Sequence, residues 1–171
     1  MTALAGELAD ALLPHPTNSS GRYIREVMLE NANRGAARVG RQRDTLEIIA
    51  NPLTAIGSSR EAIAAQREAH RTALATLFST PNYWPSLKLF GWDDVGVRLK
   101  ALVREGCWDD MPALLSDEML DVFVPSGHYE EIPGILTEEF GDFADSILIS
   151  LPDDPAEDHG VARTIERLHA A

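Results

Sequence analysis

Short apolar runs alternate with longer amphipathic stretches along this chain, and the alternation predicts its elements. Ala9 to Pro14 (Ala-Asp-Ala-Leu-Leu-Pro) reads as a first short strand, stopped by Pro14 and Pro16. Asn18, Ser19 and Ser20 offer N-cap oxygens to a helix running to about Val39. Ile24, Val27, Met28, Asn31, Ala32 and Gly35 share one face of that helix, and Gly40 supplies a left-handed stop. Leu46 to Ile56, rich in Ile, Leu and Thr, reads as a second strand, mostly buried. Ser58 and Glu61 form a capping box for a helix from Ser59 to about Phe78, with Ile63, Gln66, His70, Ala73, Leu74 and Leu77 along one face. From Thr80 to Phe123 the pattern is helical but broken by Gly91 and Gly106; Pro85 suits a first helical position, and Asp109 or Ser116 a cap. Gly127 precedes a helix from about Tyr129 to Phe140. Ser146 to Leu151 is the third and clearest strand, and Asp154, Pro155 and Glu157 open a last helix carrying Val161, Ile165 and Leu168.

Strands that are apolar on both faces, separated by helices, are the signature of parallel βαβ units and an α/β fold. Residues 1–171 read as a single domain, with residues 80–123 a helical insertion within it. Three strands cannot close a barrel, and as an open sheet they leave two edges of unpaired backbone groups. The expected sheet is therefore short of strands for so many helices.

Composition narrows the setting. At 171 residues, 44% hydrophobic and 25% charged, the chain can bury a core without a disulfide or metal staple. Its one cysteine, Cys107, cannot form an internal disulfide, which suits a reducing cytoplasm. Cys107 sits beside Trp108 and reads as packing rather than as a nucleophile. No apolar run approaches the roughly 20 residues of a membrane span. Met1 to Asp10 carries Glu7 and Asp10 but no basic residue, so a signal peptide is not expected. A net charge of −12 disfavours nucleic acid. The imbalance is local: residues 86–171 hold 19 acids against 6 Lys and Arg, which reads as a solvated acidic surface, with a basic docking partner the rarer alternative. The five histidines are scattered without metal-ligand spacing, so no metal site is expected.

Several blocks together carry a resemblance. They are Ala5-Gly6-Glu7-Leu8-Ala9-Asp10 with Leu13-Pro14-His15-Pro16; Ser79-Thr80-Pro81-Asn82-Tyr83-Trp84 with Leu89-Phe90-Gly91-Trp92; Arg104 to Met111 running into Ser116 to Leu120; and Gly127 to Glu131 with Phe143 to Leu148. In order and spacing they resemble the luciferase-like monooxygenase superfamily, in its coenzyme F420-dependent oxidoreductase branch. One position departs from the pattern: Ala11 stands where the family usually has glycine. The resemblance implies part of a (β/α)8 TIM barrel, its sixth to eighth strands with a helical insertion before the last. A whole barrel takes about 250 residues, so the chain matches only the C-terminal half.

The same resemblance implies hydride transfer between a deazaflavin, F420 (or FMN as the alternative), and a small organic substrate. With five strands missing, the chain is expected to be inactive alone. Catalysis in such barrels sits at the C-terminal ends of the strands. That places His15 as the candidate catalytic group and Thr17, Asn18 and Arg22 (with Arg25 beside it) as cofactor contacts. Tyr83, Trp84 and Trp92 become walls of a substrate chamber. Asp153 and Asp154 form a carboxylate pair, although Asp154 is better explained as a helix cap. The rival function is a non-catalytic half-barrel module that pairs its edges with a second copy or with an N-terminal half-barrel.

Overall fold

The structure, a computed structural model, describes residues 1–152 and 154–170, with Arg43 described in its backbone only. The first sheet holds three short strands in the order β1-β2-β5, all parallel: β1 (Ala11–Leu12), β2 (Glu47–Ala50) and β5 (Ser146–Ile147). Leu12 lies opposite Ile48, and Ala50 opposite Ile147. A second, two-stranded parallel sheet pairs β3 (Ala55–Gly57) with β4 (Ser126–His128).

Two strand expectations need correction here. The single strand over residues 46–56 is two strands, because the chain bends at Asn51-Pro52, where proline has no N–H for a ladder. The bend hands β3 to a second sheet, whose partner β4 (Ser-Gly-His) carries no apolar run to signal it. The third strand is also shorter than Ser146–Leu151. Leu148 N–H still donates to Ala50 O (2.9 Å), but Ser150 N–H turns to the Thr54 hydroxyl (3.0 Å), a side chain standing in for a ladder partner.

The helices carry smaller corrections. An unanticipated α1 (Thr2–Leu8) precedes the first strand, which is itself shorter than Ala9–Pro14. The helix expected from Asn18 is a 3-10 turn (Pro16–Asn18), α2 (Gly21–Tyr23), a π-helical segment (Ile24–Leu29) and α3 (Glu30–Arg38). Ser20 is its cap, with Oγ accepting from Tyr23 N–H at 3.3 Å, and Gly40 ends it at φ 67. Helix α4 (Arg60–Phe78) is capped by Ser59 rather than Ser58, whose hydroxyl instead donates to Glu157 (2.7 Å). Leu74, Ala75 and Phe78 are its buried residues, and Ala73 is exposed. Broken helices follow as expected: α5 (Trp84–Leu89), α6 (Asp93–Glu105) and α7 (Asp117–Phe123), the last capped by Ser116. Helix α8 (Ile132–Phe140) starts later than Tyr129, and α9 (Asp158–His169) follows a turn capped by Asp154.

Two apolar cores result. Ile24, Met28, Ile48, Ile132, Leu136 and Phe140 fill the one beneath the first sheet. Leu74, Phe78, Leu87, Leu99, Leu120 and Phe123 fill the other, among α4 to α7. Strand β3 serves both: Ala55 belongs to the second core and Ile56 to the first, as the two-residue period of a strand requires.

Helix α1 crosses α3 at backbone contact. A Cβ on Gly6 would collide with the Ala32 carbonyl, and one on Gly35 with the Ala3 carbonyl. Gly35→Ala is therefore expected to lower unfolding stability by about 1–3 kcal/mol, an overpacking cost. Gly134→Ala, in α8 with nothing near its would-be Cβ, should raise stability by about 0.5–1 kcal/mol through helix propensity. Urea titration of the two variants checks both signs.

Candidate functional site

The C-terminal end of β1 builds the site. The chain leaves the sheet through Leu13 and buried Pro14, and His15 follows in extended backbone. Pro16 then opens the 3-10 turn, where its missing N–H costs no hydrogen bond. Thr17 N–H donates to His15 Nδ1 (3.4 Å), and the Thr17 hydroxyl lies 3.0 Å from the same nitrogen. Nδ1 is thus the acceptor in the neutral ring, and the proton sits on Nε2. One face of the exposed His15 ring stacks on Tyr83, with centroids 4.6 Å apart and planes within 15°. Ser19 Oγ donates to His15 O (3.2 Å), which closes the turn.

Two neighbours complete the loop. Asn51, at the exit of β2, donates from Nδ2 to Pro14 O (3.2 Å) and ties the ends of the two strands together. Asn18 Oδ1 is buried with no hydrogen-bond partner among the described residues. A buried acceptor left unpaired is costly unless a ligand or partner meets it. The loop therefore presents a donor, His15 Nε2–H, and an unpaired buried acceptor, Asn18 Oδ1, beside an aromatic stack.

The remaining sequence-derived residues are placed elsewhere. Arg22 pairs with Glu26 (2.9 Å) and lies over the Phe90 ring at 5.4 Å. Trp84 donates from Nε1 to Phe78 O (2.8 Å) and packs on Gly96. Trp92 stacks on Phe90 at 5.0 Å and meets Phe123 edge-on. Of the three proposed chamber walls, Tyr83 is the one that touches His15. Arg25 is engaged: it grips both Asp142 oxygens, donates to Glu139 O (2.6 Å) and covers the Phe143 ring. Asp153 lies outside the described residues. Among the described residues no group of three or more His, Cys, Asp or Glu gathers to hold a metal.

Sequence reasoning missed Asn51, and it read Gln66 and His70 only as members of a helix face. Gln66 clasps the backbone of Ile56, accepting its N–H (3.1 Å) and donating to its C=O (2.7 Å). His70 Nε2 lies 3.0 Å from Thr54 O, and since a carbonyl only accepts, Nε2 carries the proton. Gln66 thus satisfies a residue of β3, and His70 the residue just before that strand. Polar residues four apart on an otherwise apolar face were the signal.

Against known proteins, residues 1–144 match the luciferase-like monooxygenase family. Uncharacterised proteins of Mycobacterium tuberculosis and Mycobacterium bovis are 36% identical over 148 residues, which is 86% of this chain and 43% of theirs. The coenzyme F420 dependent tetrahydromethanopterin reductase from Methanopyrus kandleri superposes with a TM-score of 0.74 at 18% identity, over 99% of this chain and 47% of that one. The chain spans less than half the length of these relatives, and the likeness to the reductase is one of fold.

Two measurements check this geometry. The His15 ring protons should resonate upfield under the Tyr83 ring current, and Tyr83→Leu should return them toward free-histidine positions in the NMR spectrum. The Arg25 guanidinium hydrogen-bonds Asp142 and holds its carboxyl below the usual carboxylate range. Such a group stabilises the fold above its unfolded pKa and ceases to do so as pH falls through the lowered one. Arg25→Met should therefore lower stability at neutral pH and remove that part of the acid limb; Asp142 is largely exposed and Arg25 about a third exposed, so solvent screening should keep the loss under about 1 kcal/mol. Denaturant midpoints across the acid range read it.

Proposed function

The chain belongs to the luciferase-like monooxygenase family, and from that premise we propose that it is the C-terminal half of an F420-dependent oxidoreductase, which transfers hydride between the deazaflavin and a small organic substrate. In this reading β1, β2 and β5 are the sixth, seventh and eighth staves of a (β/α)8 barrel, and α5 to α7 belong to the insertion before the last stave. The parallel order β1-β2-β5, in which the strands of this sheet lie side by side in their chain order, supports it.

The observation that carries the site is the loop after β1. Its donor (His15 Nε2–H), its unpaired buried acceptor (Asn18 Oδ1) and the flat His15–Tyr83 surface fit one edge of a planar heterocycle with N–H and C=O groups. His15 orients the ring or polarises a substrate carbonyl, Thr17 fixes the His15 tautomer, and Asn18 accepts from the ring edge. Arg22, once drawn from Glu26, meets the anionic end of the cofactor. Bound there, the deazaflavin supplies the carbon that carries the hydride. FMN is the alternative occupant of the same edge. Residues of this chain form one rim of the pocket, so the chain alone is inactive. An unpaired Cys107 suits a cytoplasmic setting.

A second reading rests on the sheet margins. Beyond β1 and β5 the first sheet has no further strand among the described residues, and Leu13, Leu148 and Leu151 are exposed beside those margins. An N-terminal half-barrel or a second copy of the chain would cover them by strand addition.

Fluorescence titration of the purified chain with F420 should show no micromolar binding; micromolar affinity would overturn the claim of inactivity. Light scattering should find a dimer or, with an N-terminal half supplied, a stable complex. A monodisperse monomer that ignores the other half removes edge pairing.

A further inference from the structure

Alternation along the strands separates two faces of the first sheet. Leu12, Ile48, Ala50, Ile147 and Ile149 turn to the helices and the first core. Their chain neighbours turn the other way: Leu13 is 53% and Leu148 46% exposed, and Ile49 is half-buried outside both cores. Ala11, Ser146 and Ser150 on this second face are exposed as well. Parallel sheets ordinarily have both faces covered, and here the helices cover one.

β1 and β5 are the edge strands of this sheet among the described residues. Beside β5 a cavity of about 650 Å3 opens between α8 and α9, with apolar walls from Ile147, Ile149, Ile165 and Leu168. Charge differs between the two edges. β1 lies in residues 1–85, where 9 Arg stand against 8 acids, and β5 in residues 86–171, where 6 Lys and Arg stand against 19.

Building on the edge-pairing reading, we propose that two copies of the chain close head to tail, with β1 of each parallel beside β5 of the other in a six-stranded cylinder. One two-fold axis along the strands makes both joins and leaves no edge, which is the closure of a symmetric dimer. Each join sets an acidic half of the sequence against the half that carries no net negative charge, whereas β5 beside β5 would set two acidic halves together. Stacking the two open faces flat is the poorer arrangement. Three strands of about five residues offer about 240 Å2, against about 800 Å2 per partner in a stable interface. Closed head to tail, the open faces become the lining, with Leu13, Ile49 and Leu148 of both copies packed inside. Small Ala11, Ser146 and Ser150 suit a cylinder narrower than eight strands. Glu47, which accepts the Ser146 hydroxyl (2.9 Å) where β2 begins, stays at the opening. The His15 loop follows β1 and so meets the C-terminal end of β5 from the other copy. Each site is completed by its partner.

The test oxidises thiols in mixtures of full-length variants that all carry Cys107→Ser. Leu13→Cys, lengthened by a tag, is mixed in turn with Ser146→Cys, Leu148→Cys and Ser150→Cys, which step along the inner face of β5 and cover its register. A disulfide requires Cα atoms within about 7 Å, so it reports a direct join. All four positions are exposed, so the variants should fold. Expected are a disulfide-linked product of mixed mass in at least one mixture, none from any variant alone, and a dimer mass by light scattering. Leu148→Lys, which brings a charge into the lining, should weaken dimerisation about tenfold or more. Product from Leu13→Cys alone puts β1 beside β1, and product from a β5 variant alone puts β5 beside β5. Either result overturns the head-to-tail order while edge pairing stands, as does a dimer that gives no mixed product. A monomer that pairs only with a supplied N-terminal half-barrel overturns the second copy as occupant and leaves edge pairing standing. A monomer that pairs with neither removes both.

Discussion

The run from β2 through Asn51-Pro52 into β3 is the constraint on which the rest of this structure hangs. β2 is the middle strand of the first sheet, so its backbone must satisfy β1 on one side and β5 on the other. Asp145 reinforces the second join, with its carboxylate accepting Ile48 N–H (2.7 Å) and its own N–H donating to Ile48 O (2.9 Å). Five residues after β2 ends, the same chain must enter a different sheet and face the other core. A proline ends the first ladder, and Thr54 recovers the lost pairing through its hydroxyl and carbonyl. If this bend were straightened, Ala55 and Ile56 could not serve their two cores, and the loop after β1 would lose its tether from Asn51.

Function-bearing loops sit on what this arrangement holds rigid. His15 is one residue beyond a buried proline, bonded to its own turn and backed by Tyr83, which reaches it from the segment between α4 and α5. Arg25 and Glu139 pin the helical run after the loop to α8, because Glu139 Oε1 takes Gly21 N–H (2.7 Å) while its carbonyl takes Arg25. An imidazole held by elements from three parts of the sequence keeps its orientation better than one on a free loop.

How much of this was legible depended on whether the determining interaction was local. Gly40 could be read because a left-handed stop is a property of one residue, and its φ of 67 agrees. Ser116 and Asp154 were legible as caps for the same reason. Ser59 displaced Ser58 because Ser58 had a partner 99 positions away in Glu157, which no local pattern shows. β4 was illegible: Ser126-Gly127-His128 has neither alternation nor an apolar run, and it is a strand only because β3 lies beside it. Helix α1 was hidden likewise, since Gly6 is a poor helix residue locally and earns its place by contact with Ala32. At the site, residue types pointed to His15 and Tyr83, but their stacking is tertiary, and so is the role of Asn51.

The sheet margins and the chemistry are linked by water. The hydride transfer proposed above would gain from a dry pocket, where a hydrogen bond from His15 would act in a low dielectric. In this chain His15 is exposed, and the loop that carries it follows β1, one of the two edge strands of the first sheet among the described residues. Whatever covers the β1 margin would also roof the His15 loop, so pairing and desolvation would be the same event. The two functional readings then differ in what arrives at that margin rather than in what this chain supplies. A second copy would bring its own β1 margin, from the half of the sequence where 9 Arg stand against 8 acids, so net charge does not oppose its approach there. A different half-barrel would close the same margin, and in either case the arrival that pairs β1 is the one that would make the site dry.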